Sequence, residues 1–412
     1  MSAVISSQVV LSRTPEGPLA AYIGSFANAL NTLGYAVSSV HRQVRIAACF
    51  SRWLGQERVA LQSVTADHPV RYLQCRAQHL RSCPGDLAAL RHFIDFLRRE
   101  GVVPAEKIAV QQLTPIDRCA EAYEQYLREA RALARATIVN YVPFIRDFLS
   151  HRFGDGPVML SRLCAGDVVR FVQCQAPRLH RRRAKLMTSA LRSFLSYARY
   201  RGDVAVDLAA AVPIVPNWSM MSIPRAIAPD QVRQLLASID RRTAIGRRDY
   251  AILLLLARLG LRSGEVASLK LDDIDWRVGR LTVCGKSGHR GGLPLPPEVG
   301  KAIAAYLQRG RPHSTSRCVF LRAKAPVRGF QGASGVGSIV RHALQRAGVD
   351  APTTGTHQFR HGLATEMLRK GASLGEIGDV LGHRHLQTTK IYTKIDIVAL
   401  RTLALPWPGG AQ

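Results

Sequence analysis

Apolar residues recur at helical spacing through most of this 412-residue chain. From about residue 10 to 210 they fall at i, i+3 and i+4, the one-sided stripe of short amphipathic helices. The same stretch repeats itself. VRYLQCRA (70–77) returns as VRFVQCQA (169–176), and Leu90-Arg91-His92-Phe93 returns as Leu191-Arg192-Ser193-Phe194. Gly101 and Gly202 stand at matching places beyond them, and a stretch ending FSRWLGQ (50–56) has its counterpart in one ending IRDFLSHRFG (145–154). Two tandem modules of four or five helices each are therefore predicted, over about 10–105 and 112–210.

The pattern then breaks. AAAVPIVPNWSMMSIPRAIAPDQV (209–232) holds four prolines, and each restricts both its own backbone and its predecessor's. An extended linker is expected there, with the boundary near 217–223. Helices are expected again over Pro229–Ile239 and Arg247–Leu259. RLTVCGKSGHRGGLPLP (280–296) alternates apolar and polar residues around a glycine-rich turn, which predicts a β-hairpin. CVFLR (318–322) reads as one more short strand, and from Ser338 to about Arg401 the spacing is helical. The expected fold class is mainly α: tandem all-helical modules followed by a mostly helical α+β domain with a small sheet. The expected domains are 1–108, 109–217, a linker at 218–224, and 225–412.

Charge sharpens this picture. Lys and Arg number 57 against 29 Asp and Glu, a formal net charge of +28. Such an excess favours a polyanionic partner. A membrane is the main competitor, but no apolar run reaches the roughly 18–20 residues a span needs; AILLLLARLGL (251–261) is short and contains Arg258. The N-terminus lacks the basic start and apolar core of a signal peptide. A soluble cytoplasmic protein associated with the nucleoid is expected. The 8 cysteines form no Cys-x-x-Cys pair, so neither a disulfide framework nor a metal site is indicated; they are expected to be reduced core residues.

The chemistry concentrates after the linker. ARLGLRSGEVASLKLDDID (257–275) contributes Arg262. THQFRHGLATEML (356–368) places His357 and Arg360 three apart, on one face of a helix. LGHRHLQTTKIYTKID (381–396) places His383 after a Leu-Gly pair and Tyr392 nine residues later. Cutting a phosphodiester with a side-chain hydroxyl requires a deprotonated nucleophile, neutralised non-bridging oxygens and a protonated leaving oxygen. A tyrosine with a pKa near 10 is about a thousandth ionised at neutral pH and needs help. Paired guanidiniums suit the phosphate, because their planar forks donate bidentately and keep their charge. If those cations supply the stabilisation, no metal or other cofactor is called for, and the chain contains no G-x-x-x-x-G-K-[ST] nucleotide loop.

In this order and spacing the motifs resemble the tyrosine recombinase (phage integrase) family, over roughly residues 225–396. The resemblance implies that Arg262 and Arg360 clamp the scissile phosphate and that Tyr392 attacks it, leaving a 3′-phosphotyrosyl bond and a free 5′-hydroxyl. It implies that Lys286, in VCGKSGHRGGLPLP (283–296), protonates the leaving oxygen. His357 would then assist the nucleophile, His383 would bond the phosphate, and Glu265 would support Arg262. It further implies a homo-tetrameric synapse, or a hetero-assembly with related recombinases, passing through a Holliday junction. The tail IDIVALRTLALPWPGG (395–410) is expected to dock on a neighbouring protomer.

The family places one helical DNA-binding module before its catalytic domain. The second module fits that role and the first is an addition, read as a further DNA-binding module. HRRRAKLMTSALRSFLSYARYRG (180–202) supplies Arg181, Arg182, Arg183, Lys185 and Arg192 as candidate DNA contacts, since Arg and Lys neutralise phosphates and read guanine edges. Two features depart from the family pattern, Glu366 after the His-x-x-Arg motif and Gly291-Gly292 in the hairpin. His361 and His385 receive no role. The function the resemblance implies is site-specific recombination of double-stranded DNA on behalf of a mobile genetic element; a type IB topoisomerase is the alternative.

Overall fold

The computed structural model describes residues 3–6, 9–11, 13–78, 83, 85–104, 113–215, 224–285, 290–383 and 386–395. Two compact units result, one formed by 107–221 and the other by 1–106 together with 222–412. The chain opens with an antiparallel pair, β1 (Ala3–Ser6) and β2 (Val9–Leu11), which the hydrophobic pattern had not predicted.

The first helical module consists of α1 (Ile23–Thr32), α2 (Val37–Gln56), α3 (His68–Ala77) and α4 (Asp86–Arg99). The second consists of α5 (Pro115–Glu129), α6 (Arg135–Phe153), α7 (Ala165–Gln175) and α8 (Arg181–Tyr200). Each has a 3-10 turn between its second and third helices, at 61–63 and 160–162. The internal repeat extends into the packing. Leu30 and Leu127, Phe50 and Phe148, Tyr72 and Phe171, Leu90 and Leu191, and Phe93 and Phe194 are buried pair by pair. Gly101 and Gly202 close the last helix of each module with φ of +72° and +78°, a conformation that costs a residue with a Cβ.

After the linker come α9 (Pro229–Ala237), α10 (Ala244–Leu259) and α11 (Ser263–Ser268). A three-stranded antiparallel sheet follows, of order β3 (Ile274–Asp275), β4 (Arg280–Cys284), β5 (Arg290–Pro294). Then come α12 (Pro297–Arg309), α13 (Ala333–Ala347), α14 (His357–Arg369), α15 (Leu374–Leu381), the short α16 (Leu386–Thr389) and a 3-10 turn over Lys390–Ile395. Helix α10 is the centre of the core. Its residues Ala251–Leu256 are buried all round, as befits a helix apolar on every face. It packs among Val299, Ile303, Val336, Val340 and Phe359, and each such leucine contributes about 1.5–3 kcal/mol relative to exposure. Thr243 caps its start, accepting from the Gly246 N–H at 3.0 Å, and Gly260 ends it with φ +58°.

Two expectations are corrected. Residues 318–322 do not form a strand; only isolated bridges occur, Lys270 with Cys318 and Leu321 with Gly329. The first bridge is made by the Val319 N–H donating to the Leu269 carbonyl at 2.8 Å and the Leu271 N–H donating to the Arg317 carbonyl at 2.9 Å; the pairing goes no further because the Leu321 N–H is taken by the Tyr306 hydroxyl at 3.2 Å. The cysteines are free but are not core residues. Cys49, Cys75, Cys83, Cys164 and Cys284 are exposed and the other three are half-buried; Cys49 and Cys75 fall on outward positions of their helices, whereas Cys119 packs against the edge of the second module's core. The boundary expected near 217–223 lies outside the described residues. Among the described residues no helix is long and apolar enough to cross a membrane.

Candidate active site

The left-handed turn at Gly260 sets up the first half of the site. It releases the chain from α10 directly into Arg262, which occupies the N-cap of α11. Glu265, one turn on, accepts the Arg262 backbone N–H and its Nη1, both at 2.7 Å. A carboxylate at a helix start is favoured by the dipole, and here it also fixes the guanidinium. Glu265 is buried while the Arg262 side chain is a third exposed, so the rest of the guanidinium fork remains on the cleft.

Arg360, on α14, is only 5% exposed. It donates from Nη1 to the Gly260 carbonyl at 2.8 Å and from Nη2 to the Leu381 carbonyl. Burial, and next the neighbouring Arg262, lower its pKa to about 10, which leaves it charged at neutral pH. Its two carbonyl partners terminate α10 and α15, so one side chain ties both helix ends to the site.

Gly382 ends α15 with φ +59°, and His383 follows. Its N–H donates to the Gly378 carbonyl at 2.8 Å and its Nδ1 lies 2.8 Å from the Thr389 hydroxyl. Burial, then Arg360 and Arg262, push its pKa down to about 4. The imidazole is therefore neutral at pH 7. Arg262, Arg360 and His383 together line a cleft of about 310 Å³, walled on one side by Val283, Gly285 and Gly291 of the hairpin. Lys286 lies outside the described residues. The strands on either side of it are paired through Cys284 and Arg290. Gly292 has a local reason: a Cβ there would fall 2.3 Å from Arg280 Nε, whereas one on Gly291 would meet nothing.

Tyr392 is 1% exposed, packed with Ala364, Ile377 and Leu381. Its hydroxyl lies 3.0 Å from His361 Nδ1. Burial raises the phenol pKa, with Arg360 pulling the other way. Burial also lowers the His361 pKa, aided by His357 and Arg360. A protonated phenol beside a neutral imidazole donates its O–H to Nδ1. His357 is exposed, and its ring centroid is 6.4 Å from that of His361. No motif in the sequence assigns His361 a role; its signal is its place one helical turn from His357, on the same face and next to Arg360.

The remaining candidates divide. Arg181, Arg182, Arg183 and Lys185 are exposed on the first turns of α8, and the Arg183 guanidinium sits 5.0 Å from the Phe144 ring centroid. Arg192 is half-buried and donates to the carbonyls of Val212 at 2.8 Å and Pro213 at 3.2 Å, so it binds the module's own backbone. Glu366 pairs with Lys370 at 2.8 Å. His385 and residues 396–412 of the tail lie outside the described residues.

Comparison with known proteins gives concordant matches. Residues 225–397 match the Phage integrase family and residues 120–202 match its N-terminal SAM-like domain. The chain is 60% identical over 412 residues to the putative integrase/recombinase y4rA of Sinorhizobium fredii, covering 100% of both. The fold resembles that of the XerH site-specific recombinase bound to palindromic difH substrate in a post-cleavage complex. The TM-score is 0.54 at 19% identity, over 75% of this chain and 93% of that one. A lambda integrase tetramer bound to a Holliday junction aligns with a TM-score of 0.51 at 14% identity, over 74% of this chain and 86% of that one.

Proposed function

Because this chain belongs to the phage integrase family of tyrosine recombinases, we propose that it cuts and rejoins duplex DNA through Tyr392. Arg262 and Arg360 hold the non-bridging oxygens of the scissile phosphate in the cleft, and His383 donates to the same phosphate from Nε2. Tyr392 Oη attacks phosphorus and its proton passes to His361 Nδ1. His357, exposed one turn away, exchanges that proton with solvent. As the bond from phosphorus to the 5′-oxygen breaks, Lys286 protonates the leaving oxygen. The products are a 3′-phosphotyrosyl bond and a 5′-hydroxyl, and attack by a 5′-hydroxyl from another strand reverses the step and rejoins the DNA.

One observation carries this reading: Arg262, Arg360 and His383 meet on one cleft, beside a tyrosine hydroxyl held 3.0 Å from a neutral imidazole. Donors fixed in a partly desolvated site stabilise developing charge far better than in water. The net charge of +28 supports a DNA substrate. The alignment with a lambda integrase tetramer supports a four-subunit synapse. In this reading residues 225–412 carry the chemistry and residues 109–217 grip the duplex through Arg181, Arg182, Arg183 and Lys185. The module of 1–108 favours an enzyme that acts on the ends of a mobile element.

The test is covalent trapping on nicked suicide substrates drawn from the DNA flanking the gene, with wild type beside Tyr392→Phe. A denaturant-resistant adduct with wild type and none with the variant is expected. An adduct that survives the substitution would remove Tyr392 from its role. Sequence-independent relaxation of supercoiled plasmid by the wild type would replace recombination with a topoisomerase activity.

A further inference from the structure

The first helical module duplicates the second in element order and core positions, yet its outward residues differ, and the difference has a pattern. On α2 the outward stripe carries Ser38, His41, Arg42 and Arg45, and the whole helix contains no acidic residue. On α4 the outward positions include Arg91 and His92, while the one exposed acid, Asp95, is paired with Arg98 at 3.6 Å. The two stripes adjoin along a groove of about 470 Å³, lined by Tyr35, Ser38, Arg42, Gln43, Gly85 and His92 among others.

In the second module the exposed cations cluster at the start of α8, at Arg181, Arg182, Arg183 and Lys185. The repeat aligns those positions with 80–84, where Arg81 is the single charged residue. The first module brings a guanidinium to the start of α4 by another route. Arg42 reaches across from α2, so that a Cβ on Gly85 would lie 2.6 Å from its Nη2. Positive charge thus occupies the same place in both modules although it comes from different helices. A shared fold alone preserves core positions; it does not rebuild an exposed charge from a second helix.

We propose that the first module is a second DNA grip, which uses the α2–α4 face to bind a segment of duplex outside that held by the second module and the catalytic domain. Arg42, Arg45 and Arg91 neutralise backbone phosphates, while Ser38 and His92 offer shorter polar contacts from the groove. Such contacts release counterions and make affinity fall steeply with salt. This inference rests on the recombinase reading, since it takes duplex DNA to be the ligand.

The experiment uses the full chain. Hydroxyl-radical footprints and the salt dependence of binding are measured on the trapping DNA extended on both sides. Wild type is compared with Arg45→Glu/Arg91→Glu and, separately, with Arg42→Ala; helical content by circular dichroism controls for folding. Wild type should protect an outer block besides the core. The double variant should lose that block and flatten the slope of log K against log salt by about 2, and Arg42→Ala should flatten it by about 1. The Tyr392 adduct at the core should still form in all three proteins. Unchanged footprints and slopes in both variants would overturn the inference. A core footprint and adduct without any outer block in wild type would overturn it too, leaving the recombinase reading intact. Absence of both footprint and adduct in wild type would instead sink that reading.

Discussion

The helical modules and the catalytic cleft handle charge in opposite ways. In the modules the interiors are apolar and aromatic, built on residues such as Phe93 and Phe194, and the guanidiniums stand outside. The buried Asp167 shows the rule there. Burial alone would raise its pKa, but bonds from Arg152, the Cys164 N–H and Arg170 outweigh it and hold the carboxyl at about 2. Its charge is fully matched and inert. At the active site, Arg360 and His383 on the cleft and His361 and Tyr392 behind it are groups for which burial leads every shift. There the histidines become neutral and the phenol resists ionisation. Buried charge that is completely paired serves the fold; ionisable groups buried with pairing left open are poised for a ligand.

The largest test of that difference compares the two arginines of the cleft. Arg360→Ala should lower the rate of adduct formation by about three orders of magnitude. It should also destabilise the domain by about 2–4 kcal/mol, because the carbonyls of Gly260 and Leu381 lose their donors. Arg262→Ala should cost comparable activity but less stability, since its guanidinium is a third exposed and the buried Glu265 keeps the backbone N–H of residue 262 as a donor. Single-turnover cleavage and denaturant unfolding separate the two effects; equal stability losses would mean that Arg360 is no more structural than Arg262. His383 adds a pH signature. Its folded pKa near 4 lies below the ordinary value of about 6.5, so the unfolded chain binds its proton first. The stability it secures is therefore present above pH 6.5 and is lost as pH falls toward 4.

The next effect concerns a residue that the sequence did not single out. Arg262, His357, Arg360, His383 and Tyr392 stood out as candidates because their order and spacing resemble the motifs of the family. The duplication was visible because short stretches such as VRYLQCRA and VRFVQCQA survive in both copies. The bond from His361 to Tyr392 was not, because helical spacing gives the face a residue occupies, while the partner arrives from a 3-10 turn far along the chain. The exposure of the cysteines is hidden in the sequence for a related reason: residue type predicts average burial, and local placement decides the individual case. His361→Ala should slow cleavage by about two orders of magnitude. In the wild type its lowered pKa keeps the imidazole able to accept a proton to below pH 6.5, so the acid limb of the cleavage profile lies lower than for an ordinary histidine. That limb should vanish in the variant; an unaltered profile would return proton transfer to another group.

The smallest effects come from three glycines that share a backbone conformation. Gly101 and Gly202 have φ of +72° and +78° with nothing within 4 Å of an added Cβ. Alanine at either meets only the left-handed backbone penalty, about 1 kcal/mol, and amide exchange in α4 and α8 should record equal losses. Gly260, at φ +58°, would place its Cβ 2.9 Å from Leu381 Cδ2 and 3.0 Å from Leu363 Cδ2. Its carbonyl also holds Arg360. Gly260→Ala should therefore reduce cleavage as well as stability, whereas the module glycines should leave the rate of adduct formation on pre-bound DNA unchanged. Should Gly260→Ala lose stability alone, the cleft would tolerate a shift of Arg360 and its likeness to a preorganised site would weaken. Should Gly101→Ala and Gly202→Ala differ severalfold, the two modules would share an outline but not the local energetics that a true duplication carries.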